Sequence, residues 1–130
     1  MLKIKAKTVL LTTMDMETNH LLYPYVIAMN DVIIREILQT IEIHSIKNNQ
    51  NLNYLFIPEI AKENSSDNVI ILEWWISETD SLVEYRFSLY QGSDGLSRVI
   101  DRGTLPSGNI LLNLDERNRI INNLVDYLHE

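Results

Sequence analysis

The stretch "NVIILEWWISETDSLVEYRFSLY", residues 68 to 90, constrains the fold more than any other part of the chain. Trp74 and Trp75 are neighbours, and adjacent side chains of an extended strand point to opposite faces. One sheet face therefore cannot bury both. If "ETDS" is a four-residue loop between strands 69–77 and 82–90, the pairing sorts every side chain. One face collects Ile76 with Val83, Trp74 with Tyr85, Leu72 with Phe87 and Ile70 with Leu89. The other sets Trp75 against Glu84, Glu73 against Arg86 and Ile71 against Ser88. A slip of one residue would mix the two sets, so the sorting fixes the register as well as the strands. Trp74 is expected inside and Trp75 outside.

"QGSDG" at 91–95 is turn chemistry and brings back a third strand. Taken as a five-residue loop, it places Phe87 opposite Val99 and Asp101 opposite Tyr85. Arg98, Ile100 and Arg102 then join the outer face.

The rest of the chain is read by periodicity. Residues 2–12 alternate, with Lys3, Lys5 and Lys7 on one side, and predict a half-buried strand. "LLYPYVIAM" at 21–29 reads as a second strand, edge-placed because Pro24 has no N–H for a ladder. Asn30 or Asp31 then caps a helix whose apolar sector is Ile33, Ile34, Ile37, Leu38 and Ile41. Residues 43–47 fit a helical extension or a short strand equally well. "LNYLFIPEI" reads as an apolar extended stretch, followed by a polar loop from Glu59 to Asp67. A final helix is capped by Asn113, with Glu116 three residues on, and carries a stripe of Leu114, Ile121, Leu124, Val125 and Leu128. Ile120 and Tyr127 flank the stripe. The expected architecture is a single α+β domain over 1–130: an antiparallel sheet packed on one face by two helices.

Composition narrows function chiefly by exclusion. With 11 basic and 18 acidic residues the net charge is −7, and Lys3, Lys5 and Lys7 stand in a segment without acids. An acidic body disfavours nucleic-acid binding, which relies on displacing counterions with basic side chains. It suits a basic protein partner. Cysteine is absent, which removes thiolate catalysis and cysteine-ligated zinc and fits a reducing compartment. No apolar run is long enough to span a membrane. The lysines of "MLKIKAKTVLLTTM" interleave with apolar residues instead of preceding them, unlike a secretory signal. A cytoplasmic protein is expected.

His20, His44 and His129 show no metal-ligand spacing, and neither a phosphate loop nor a nucleophile elbow is present. No metal, cofactor or catalytic residue is assigned. Two groupings remain. Trp75, Glu73, Arg86, Glu84, Arg102 and Ile71 form a charged lattice around an aromatic, the residue mixture of interface hot spots. Asp101, Tyr85 and Trp74 would line a pocket if a cavity separates sheet from helices, because a desolvated carboxylate there can act as acid or base. The first grouping gives the leading expectation: a small non-enzymatic interaction module, in the manner of an immunity protein, antitoxin or chaperone-like accessory. It would bind another protein or pair as a homodimer through the exposed sheet face. The second gives a ligand-binding protein or enzyme. A nucleic-acid accessory using the three lysines ranks last.

Overall fold

The computed structural model describes residues 7–48, 54–78, 82–105 and 114–129. Among the described residues, five strands, β1 (Thr8–Asp15), β2 (Ser45–Asn48), β3 (Asn68–Ile76), β4 (Val83–Gln91) and β5 (Leu96–Leu105), accompany three α-helices: α1 (Tyr23–Thr40), α2 (Ile57–Glu63) and α3 (Leu114–His129). The fold is α+β. The strands form one sheet in the order β2-β1-β3-β4-β5. Lys3, Lys5 and the Asn113 cap lie outside the described residues, as does the stripe position Leu114 as regards its side chain.

The sheet is mixed, correcting the purely antiparallel expectation. β1 runs parallel to both β2 and β3, while β3, β4 and β5 form an antiparallel meander. The chain leaves β1 for β2 through α1, then returns across β1 to β3 through α2. Right-handed crossovers in opposite directions need their helices on opposite faces. The packing agrees. Leu10, Ile70, Leu72 and Trp74 pack on α1 and α3 through Val26, Met29, Ile33, Ile37, Ile120, Leu124 and Leu128. Val9, Leu11, Val69 and Ile71 pack on Ile57 and Ala61 of α2, with Tyr90 beside them. Helices thus cover both faces, not one.

This arrangement explains three local departures from the sequence reading. β1 is an interior strand, so Thr8 to Thr13 are all buried and the half-buried pattern is lost. Residues 21–29 are not a strand: α1 begins at Tyr23 with Pro24 in its first turn, where a missing N–H costs nothing. Asn30 and Asp31 are consequently interior helix positions and not caps. "LNYLFIPEI" repeats the lesson. Tyr54–Phe56 form a 3-10 turn and Pro58 opens α2. Residues 43–47 resolve toward strand, with β2 pairing Ser45 to Asn48 alongside Val9 to Thr12. In α3 the buried row is Ile120, Leu124 and Leu128, leaving Ile121 and Val125 half-buried at its side.

Candidate functional site

The central hairpin pairs as its side-chain sorting requires. Trp74 opposes Tyr85, Trp75 opposes Glu84, Glu73 opposes Arg86, and Ser77 N–H donates to Leu82 O at 2.8 Å to close the loop. Trp74 is 1% exposed. Its ring lies 5.9 Å from Tyr85 and 5.3 Å from Phe87, the latter edge-on. Its indole N–H donates to Asn30 Oδ1 on α1 at 2.9 Å, satisfying the one polar atom it takes into the core.

Trp75 lies on the other face, half-buried. Its N–H donates to Glu84 Oε2 at 2.5 Å, and the Arg86 guanidinium sits 5.9 Å from its ring centre. Arg86 also grips Glu73 with two bonds, Nε to Oε1 at 3.0 Å and Nη2 to Oε2 at 3.2 Å. This forked pairing holds the guanidinium plane in one orientation. Arg102 stands opposite Arg86 on β5 and is exposed. Five of the six expected face residues therefore come together. Ile71 does not: it is fully buried beneath α2, which covers that half of the face.

The β4–β5 register differs from expectation. The turn is Gly92 to Gly95, one residue shorter, because Gly95 takes a φ of +69° and donates to Gln91 O at 2.9 Å. Leu89 consequently meets Arg98, and Ser88 meets Val99. A bulge follows between Phe87 and Ser88, after which Phe87 meets Asp101 and Tyr85 meets Gly103. Arg98 thereby leaves the outer face, and Ile100 packs against the α1/α3 core instead of enlarging the Trp75 patch.

Asp101 is thus two pairs along the ladder from Tyr85, yet the two still touch. The Tyr85 hydroxyl donates to Asp101 Oδ2 at 3.2 Å and accepts from Arg119 Nη2 of α3 at 3.2 Å. Arg119 also pairs with Glu116 at 2.6 Å. Burial is the main cause of a Tyr85 pKa above the ordinary tyrosine value, opposed chiefly by the Arg119 hydrogen bond. The Arg119 hydrogen bond likewise holds Glu116 below the ordinary carboxylate range. Arg119 was not visible as a site residue in the sequence, since nothing local links an exposed helix position to a strand 34 residues away. The trio joins α3 to β4 and β5 as a polar clasp. No cluster of His, Asp and Glu among the described residues could hold a metal.

Two hollows open elsewhere, at the carboxyl end of β1, and neither is lined by Asp101, Tyr85 or Trp74. The more enclosed, about 430 Å³, lies between α1 and the ends of β1 and β2. The shallower one is bordered by Asp15, Glu17, His20 and Ile76.

No protein-family model matches the chain, and no curated protein matches it significantly. Among solved structures it is similar to the PelC dodecamer of Paraburkholderia phytofirmans, at 13% identity and a TM-score of 0.43, over 95% of this chain and 88% of that one. It is also similar to a lipoprotein of Neisseria meningitidis, at 12% identity and a TM-score of 0.40, over 92% and 94% of the two chains. A hypothetical protein of Chlamydia trachomatis follows at 13% identity and a TM-score of 0.36, over 76% and 69%. No helix among the described residues is long and apolar enough to cross a membrane.

Proposed function

We propose that the chain is a non-enzymatic interaction module whose contact surface is the half of the outer sheet face left open by α2, and that its occupant is a second copy of the chain. The observation that carries this reading is the lattice of Glu73, Trp75, Glu84, Arg86 and Arg102. Hydrogen bonds among Glu73, Trp75, Glu84 and Arg86 fix those four rotamers before any partner arrives, so little of their side-chain entropy is lost on contact. The patch holds two carboxylates and two guanidiniums, and is neutral on a chain of net charge −7. Two acidic copies repel elsewhere, whereas a neutral patch with both signs is complementary to itself under two-fold rotation. A basic partner, by contrast, would be drawn to the acidic remainder of the surface. The β5 edge is a poor alternative for pairing, because its bulge and its arginines disrupt a continuing ladder.

Sedimentation velocity of the full chain across micromolar to submillimolar concentrations tests the proposal. Wild type should dimerise, while Arg102→Glu and Trp75→Ala should shift it to monomer, with Arg102→Glu leaving the melting temperature unchanged. A wild type that stays monomeric throughout, or an Arg102→Glu dimer of unchanged strength, refutes it.

A further inference from the structure

The enclosed hollow beside α1 is independent of the outer face and has its own chemistry. Its walls are apolar at Met14, Met16, Ile27, Ile34 and Ile46 and polar at Thr12, Tyr23, Asn30 and Asn48, with Asp31 at the rim. Its volume of about 430 Å³ falls in the usual range of small-molecule sites, roughly 300–1,000 Å³. The position is also meaningful. Ligands of open sheets with parallel strands gather beyond the carboxyl ends of those strands, and here β1 and β2 end at the hollow.

Three observations define what could enter. Asn30 is 4% exposed and gives its Oδ1 to Trp74, while its amide nitrogen has no partner among the described residues. With Thr12 Oγ1, which is buried and has no partner among the described residues, that leaves two hydrogen-bonding groups uncommitted on residues lining the hollow. Among the described residues no Lys or Arg lines either hollow, whereas Asp31 lines the enclosed one and Asp15 and Glu17 the shallower one. Arg35, one turn beyond Asp31, spends its Nε on the Asp31 main-chain oxygen at 3.4 Å, and no ion pair joins their side chains among the described residues. Finally, Met14 and Met16 offer flexible thioethers, which adapt to ring-shaped ligands and favour contact with aromatic edges.

From this geometry we infer a binding site for a small amphipathic amine. Its apolar, ring-containing body would lie against Met14, Met16 and Ile34, and its ammonium would face Asp31. A carboxylate or phosphate ligand there would meet Asp31 and no cation among the described residues.

Phenethylamine, 2-phenylethanol and phenylacetate share a phenyl ring and differ mainly in charge, so together they test both parts of the inference. Methyl NMR on methionine-labelled full-length protein provides the readout, with Met29, buried in the core and outside the hollow, as an internal control. Phenethylamine should shift Met14 and Met16 saturably and bind more tightly than phenylacetate by about threefold or more, as expected of a partly exposed charge pair. Asp31→Asn should narrow that difference. Ile46→Trp, which fills the hollow from the exposed β2 edge, should abolish the shifts while the spectrum stays folded. The inference fails if phenylacetate binds as tightly as phenethylamine, if Met14 and Met16 show no saturable response, or if Ile46→Trp binds unchanged.

Discussion

Gly103→Ala tests the clasp between α3 and the sheet more sharply than truncating any of its members. A Cβ at position 103 would lie 3.0 Å from the Tyr85 hydroxyl oxygen, 3.2 Å from Cε1 and 3.3 Å from Cζ. Each is tighter than ordinary carbon contacts, so either the ring or the strand must move. The ring is not free to move, because its hydroxyl is held by both Asp101 and Arg119. Overpacking a fitted site of this kind costs about 1–3 kcal/mol. Against that, alanine recovers about 0.5–1 kcal/mol of the chain entropy that glycine loses on folding. The net expectation is a destabilisation of about 1–2 kcal/mol, read by urea unfolding. Tyr85→Phe alone should cost about 1 kcal/mol through its lost hydrogen bonds. In the double variant the closest contact is gone and the ring is untethered, so the alanine should cost nearly nothing. The cycle should therefore show coupling of about 1 kcal/mol or more. Effects that add to within about 0.5 kcal/mol would refute the claim that the hydroxyl pins the ring, and so would a stabilising Gly103→Ala in the wild-type background.

Two further outcomes follow from single groups. Thr12 is 3% exposed and its Oγ1 has no partner among the described residues, so Thr12→Val should stabilise the protein by about 1 kcal/mol, seen as a higher melting temperature; a lower one would show that the hydroxyl is bonded in solution. Tyr85 keeps its proton more firmly folded than unfolded. Its contribution is thus fully present below the unfolded value of about 10 and is lost as pH rises through the folded one. Stability should fall more steeply above about pH 10 in wild type than in Tyr85→Phe, and identical alkaline slopes would contradict the burial argument.

The legible and illegible parts of this fold separate by physical cause. The β3–β4 register could be read because its two faces differ in polarity, so only one alignment sorts Trp74 from Trp75. β1 could not be placed so well: an interior strand buried on both sides loses the alternation that marks a face. The two misread segments share a cause. Pro24 reads as a strand-edge residue and Pro58 falls in a stretch that reads as extended, although proline is equally at home in the first turn of a helix, where both occur. In the candidate site, Trp75, Glu73, Arg86, Glu84 and Arg102 followed from register alone. Ile71 failed because the missing helix α2 covers it, and Ile100 failed because a bulge is a local accommodation with no sequence period. The hollow beside α1 is invisible while Tyr23 and Ile27 of its wall read as a strand and Asn30 and Asp31 as a helix start.

The central position of β1 also bears on how the chain assembles. β1 is the first described element to be synthesised, yet its pairing with β3 joins Thr8 to Asn68. β3, β4 and β5, by contrast, are joined by short hairpins and need no distant partner. Loop closure penalises the long connection, so the meander should form first and β1 should dock onto it late. Pulse-labelled hydrogen exchange during refolding would read this order directly, and protection of β1 before β3–β5 would reverse it. Until β3 arrives, β1, buried from Thr8 to Thr13 in the finished sheet, has only the short β2 to pair with, which makes the early nascent chain its most aggregation-prone stage.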